Sequence, residues 1–146
     1  MRQSLHRLTV NTEGQGLIEI TAPIRQWVAA QRALTGLLTV WCQHTSASLL
    51  VQENADPDVR ADLVAFFRRI VPEGAQYRHQ DEGADDMPAH IKSALTQTQL
   101  SIPVDRGEPV LGTWQGIYLF EHRTAPHRRE VVLHMFFEAS KVGDEG

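Results

Sequence analysis

The chain has 146 residues, 42% hydrophobic and 22% charged, with a formal net charge of −4. That length suits a single domain (1–146) with a real core, and the composition excludes a disordered chain. The negative balance argues against nonspecific nucleic-acid binding but leaves room for a local basic patch that holds a small anion. Cys42 is the only cysteine, so no intrachain disulfide can form, which fits a reducing compartment. The opening residues alternate polar and apolar instead of forming a signal-peptide run, and no stretch reaches the length of a membrane span. The expectation is a cytoplasmic protein with no membrane or nucleic-acid partner.

Alternation predicts a strand over residues 5–10, a glycine turn over 12–16 and a strand over 17–20. Thr21 and Pro23 predict a helix start, Ile24, Trp27 and Val28 its apolar face, and Gly36 its stop. Residues 37–42 read as a buried strand, 43–48 as a polar loop of small residues, and 49–51 as a second strand. Asp56 and Pro57 predict the start of the clearest helix, whose stripe is Val59, Leu63, Phe66, Phe67 and Ile70. A third helix begins near Asp86. Strands follow over 100–104, 110–120 and 131–137, the second interrupted by Gly112 and Gly116, and residues 140–146 read as a frayed tail. Strands around three helices predict an α+β fold: a β-sandwich of mixed or antiparallel sheets with flanking helices.

Residues 79–92 hold His79, His90 and the carboxylates Asp81, Glu82, Asp85 and Asp86. Asp86 and His90 are four apart, hence on one helix face, and imidazole beside carboxylate suits a divalent metal or proton transfer. The alternative is a solvated acidic loop whose Asp86 only caps the helix, with Pro88 in its first turn. His44 ends a strand beside small neighbours that leave room for a ligand, or it is bonded within a turn. Glu53 and Asn54 sit between strand and helix, where they reach toward a site or serve the turn. Arg123, Arg128 and Arg129 form the one dense basic patch, either a phosphate cradle or a solvated loop.

The segments around His44–Leu49, Glu53–Pro57, Tyr77–His79, Glu82–Lys92 and Gly112–Tyr118 occur in an order that resembles the YjbQ-like proteins, described as secondary thiamine-phosphate synthases. The resemblance covers nearly the whole chain. It implies a β-sandwich with flanking helices, a homotrimer about a three-fold axis, and a histidine-rich site. The matching histidines are His44, His79 and His90, expected as metal ligands, with Asp86, His90, Glu53 and Asn54 as catalytic candidates. The reaction implied joins hydroxymethylpyrimidine pyrophosphate to thiazole phosphate and releases pyrophosphate, as a secondary activity.

Such a reaction needs a divalent cation or arginines at the leaving group and a platform for a flat ring. Glu82, Asp85 and Asp86 are candidate magnesium ligands. Ser46, Gln115, Arg123 and Arg128 are candidates for holding a small phosphorylated substrate, and Trp114 or Tyr118 for stacking. Three histidines on one metal favour zinc. That opens two further readings, a zinc-dependent hydrolase of a small phosphorylated or cyclic substrate and a non-catalytic metal- or ligand-binding trimer.

Overall fold

The structure is a computed structural model and describes residues 1–74 and 76–140. Its elements run β1 (Arg2–Thr12), β2 (Gly16–Glu19), α1 (Thr21–Ala30), β3 (Ala33–Cys42), β4 (Ala47–Glu53), α2 (Pro57–Ile70), α3 (Asp86–Leu95), β5 (Gln99–Asp105), β6 (Glu108–Pro109), β7 (Gln115–Glu121) and β8 (His127–Ala139). One sheet has the order β1-β8-β3-β5-β6 and the other β2-β7-β4, with every pairing between named strands antiparallel. The expected α+β sandwich with three helices is the fold observed. No described helix is long and apolar enough to cross a membrane. All but Ser140 of the expected tail lies outside the described residues.

Strand alternation assigns the layers. Leu38, Val40, Leu133 and Met135 of the large sheet face Ala47, Leu49, Ile117 and Leu119 of the small one, all wholly or almost wholly buried. The opposite face of the small sheet packs on helices: Phe120 meets Phe67 of α2 edge-on, and Ser48 accepts a hydrogen bond from Thr96 just after α3. The opposite face of the large sheet carries exposed Leu5, Leu37, Trp41 and Phe136, with Leu37 and Phe136 register partners. Helix α1 adds Ile24 and Val28 to the core.

Several local expectations change. Asp56 caps α2 as expected, its Oδ1 accepting from Asp58 N at 2.9 Å. Helix α1, however, stops at Ala30, and Gly36 lies inside β3. There a Cβ would meet the Phe136 carbonyl at 2.4 Å, so this glycine marks close backbone approach to β8 and not a helix stop. Residues 110–114 lie outside the strand, which begins at Gln115. The stripe of α2 is present, yet none of its residues is fully buried. Asp86 does not cap α3: the capping position is Asp85, without a side-chain cap bond, and Asp86 opens the helix with its carboxylate turned elsewhere.

Candidate metal centre

The turn into α3 is made by Gly83, at φ +104, whose carbonyl accepts from Asp86 N at 3.3 Å. Glycine adopts this backbone without strain. The turn delivers Asp86 to the first helical position, 2% exposed, and puts His90 one turn on. His79 comes from the segment between α2 and α3. Its Nε2 lies 2.6 Å from Asp86 Oδ2, and His90 Nε2 lies 3.1 Å from the same oxygen. One ligand atom from each of His79, Asp86 and His90 falls within 4.8 Å of the others.

The other carboxylate oxygen, Asp86 Oδ1, pairs with Arg123 Nη1 at 2.8 Å. The same guanidinium donates from Nε to Asp85 Oδ2 and from Nη2 to the Glu82 carbonyl, each at 2.9 Å. Thr124 N also donates to Asp85 Oδ2 at 2.9 Å. Burial alone would raise both aspartates. It is outweighed at Asp85 by the bonds from Arg123 and Thr124, and at Asp86 by the His79 bond and the charges of His90 and Arg123. Both carboxyls are therefore held below their usual range and stay ionised.

The geometry fixes the tautomer of His90. Its Nδ1 lies 2.9 Å from the Thr45 carbonyl oxygen, which can only accept, so Nδ1 carries the proton. A lone pair on Nε2 would then face an ionised carboxylate oxygen. Two electron-rich atoms at that distance repel unless a cation, a proton or a metal ion, lies between or beside them. A ring held through its far nitrogen, two imidazoles and one carboxylate make a donor set that suits a divalent ion of the zinc type.

Other nominated residues fall elsewhere. His44 lines the same cavity as His90, about 570 Å³, together with Trp41, Thr45 and Ser93. Its Nε2 accepts the Glu130 N–H at 2.8 Å, so it stands outside the three-atom cluster, and Asp86 occupies the third corner. Burial, then the charge of Arg129, lower the proton affinity of His44. Ser46 is buried, its Oγ accepting from Arg129 Nη2 at 3.0 Å. Glu53 accepts the backbone N–H groups of Ala55 and Asp56, and Asn54 N donates to the Trp114 carbonyl. Register pairs Ala47 with Glu121 at the cluster end of β4 and Glu53 with Gln115 at the other. Glu53, Asn54, Trp114 and Gln115 therefore stand roughly 20 Å along the strand from the cluster within one chain.

Gln115 accepts from Gly112 N, while Trp114 is exposed. Tyr118 is fully buried, its hydroxyl donating to the Glu53 carbonyl, so it offers no stacking face. Arg128 is solvent-exposed and pairs with Glu130 at 3.4 Å. Arg123 faces the acidic segment and not an open phosphate cradle. Two features escaped sequence reading. One is the Thr45 carbonyl, which is invisible because every residue has one. The other is the buried Glu121–Arg129 pair, which only strand pairing reveals.

The comparisons agree with this architecture. Residues 6–138 match the model of the family described as UPF0047 protein YjbQ-like. A UPF0047 protein of Synechocystis sp. is 53% identical over 135 residues, covering 92% of each chain. The UPF0047 protein YjbQ of Escherichia coli O157:H7 is 46% identical over 126 residues, 86% of this chain and 91% of that one. A crystal structure of a YjbQ/UPF0047 protein from Clostridium acetobutylicum superposes with a TM-score of 0.83 at 31% identity, covering 90% of this chain and 99% of that one. The chain belongs to the YjbQ-like UPF0047 family.

Proposed function

We propose that this protein is a metal-dependent enzyme acting on a small phosphorylated substrate, with one divalent ion, zinc in preference to magnesium, held by His79, Asp86 and His90. The observation that carries the reading is the convergence of His79 Nε2 and His90 Nε2 on one oxygen of Asp86, with His90 Nδ1 committed to the Thr45 carbonyl. A bound ion would polarise a phosphoryl or carbonyl oxygen and neutralise charge on a leaving group. Thr45 orients His90, Arg123 holds Asp86 ionised and aimed, and His44, fixed by Glu130, faces the cavity beside His90 as a neutral acceptor.

The reaction proposed first is thiamine-phosphate formation, on the strength of the motif resemblance. The second reading, hydrolysis of a small phosphorylated or cyclic substrate, is favoured by one observation. Arg123, Arg128 and Arg129 are paired with carboxylates, so no basic cluster is free for a departing pyrophosphate among them. Assay of both reactions on metal-loaded and chelator-treated protein decides between them. Purified protein that takes up no zinc, nickel or manganese would sink the metal site.

The same reading includes a homotrimer. The exposed apolar side chains of Leu5, Leu37, Trp41 and Phe136 on the outer face of the large sheet support it, since exposed apolar surface favours association. Trp41 also lines the His44–His90 cavity, so in this reading the cavity adjoins the interface.

A further inference from the structure

Glu121, the last residue of β7, is wholly buried, and Arg129 of β8 is 4% exposed. They form a forked pair, Nε to Oε2 at 2.7 Å and Nη2 to Oε1 at 2.5 Å, and Thr12 Oγ1 donates to Oε2 at 2.8 Å. A pair that only tied strands together could end there. This one reaches outward on both sides. Arg129 Nη2 also donates to the carbonyl and hydroxyl oxygens of Ser46, at 3.2 and 3.0 Å. Glu121 Oε1 also accepts the backbone N–H of Arg123 at 3.0 Å.

These two reaches end one step from the two walls of the cluster. Ser46 adjoins Thr45, whose carbonyl sets the tautomer of His90. Arg123 holds Asp86 through Oδ1, leaving Oδ2 to the histidines. We infer that Glu121 and Arg129 are positioning residues of the metal centre: one buried ion pair fixes the His90 tautomer on one side and the Asp86 carboxylate on the other, touching neither. The inference rests on the metal reading for its consequence, but the His90 tautomer is a prediction about the chain itself. A buried ion pair is a poor stabiliser compared with apolar residues of equal volume, so stability alone does not account for it. What apolar residues could not supply is the simultaneous grip on Ser46 and Arg123.

The test uses the full chain and its Glu121→Gln, Arg129→Lys and Arg129→Met variants, with Val104→Ala of β5 as a destabilised control remote from the pair. Cobalt(II) is the probe, its affinity and visible spectrum followed by titration, and nitrogen-15 NMR reads the His90 tautomer in metal-free protein. The expected result is cobalt affinity lower by about ten- to a hundredfold in the pair variants with a changed spectrum, the usual effect of outer partners. His90 should lose its pure Nδ1–H form, and Val104→Ala should keep wild-type affinity and spectrum. Glu121→Gln preserves shape and is the variant expected to fold if Arg129→Met does not. Folded variants with wild-type cobalt binding and an unchanged tautomer would overturn the inference. A wild-type protein that ignores cobalt would remove the metal reading instead, and the tautomer measurement would still decide whether the pair positions His90.

Discussion

His90 donates its Nδ1–H to the carbonyl oxygen of Thr45, a residue 45 positions earlier in the chain, at 2.9 Å. One main-chain oxygen thus decides which nitrogen of the ring is available for chemistry. No side-chain substitution at Thr45 removes it, so Thr45→Ala should leave metal binding within about twofold. Thr45→Pro, which alters the backbone itself, should lower it tenfold or more, the scale of losing an outer partner. Zinc competition with a chromogenic chelator measures both.

Asp86 separates cap from ligand. Loss of a cap costs about 1 kcal/mol and leaves chemistry alone. Here Asp86→Asn and Asp86→Ser should both lose metal affinity by at least ten- to a hundredfold, because each removes the charge shared by two imidazoles. Both should also lower the melting temperature, since Arg123 is left beside a neutral partner. Full metal content in the serine variant would return Asp86 to a purely local role. Alanine at His44 should weaken metal binding less than alanine at His79 or His90.

Acid should destabilise the fold well before its carboxylates titrate. His122 is 1% exposed, and burial, with Lys92 and Arg129 nearby, lowers its pKa to about 3. His44 is lowered in the same direction, burial again first. Between the ordinary histidine value and those lowered values the unfolded chain binds protons that the folded chain does not, so stability falls as pH drops below about 6.5. By pH 4 the loss from His122 is of order 3 kcal/mol. Glu121, Asp85 and Asp86 have lowered values too, so their contributions are lost only at lower pH, as they protonate in turn. Urea midpoints between pH 7 and 5 should slope in wild type and slope less in His122→Gln, which keeps the His44 contribution.

The uncovered sheet face predicts assembly. Leu37→Lys with Phe136→Asp should convert a trimer to monomer in light scattering at micromolar concentration, with the fold retained by circular dichroism. A wild-type monomer under those conditions would end the trimer proposal.

Periodic elements were legible in the chain, and non-periodic ones were not. The stripe of α2 and the Asp56–Pro57 start are local signals, and they place that helix to within a residue. Gly36 misled because a glycine after an apolar helical face reads as a stop, whereas what requires it is the Phe136 backbone a hundred residues on. In the candidate site, the four-residue spacing of Asp86 and His90 was readable, since a helix converts it directly into proximity. His79 entered through the motif, and the structure brings it to the same oxygen. Which of His44 and Asp86 completes the cluster depended on Glu130 N, a backbone donor brought by β8 from 86 residues away. Tyr118 looked like a platform because alternation assigns a face but not what covers that face.

Helix α2 lies over the small sheet without one fully buried residue, and the segment carrying His79 hangs from its C-terminal end. Asp86 and His90 instead belong to α3, which buries Asp86, Ala89 and Lys92. The three donors therefore rest on supports of unequal durability, and shallowly packed helices open first in hydrogen exchange. In the proposed centre His79 would be the donor on the weaker support. Its departure when α2 frays would set how fast an ion enters or leaves, and a captured ion would be felt as slower amide exchange along α2, a helix that supplies none of the three donors.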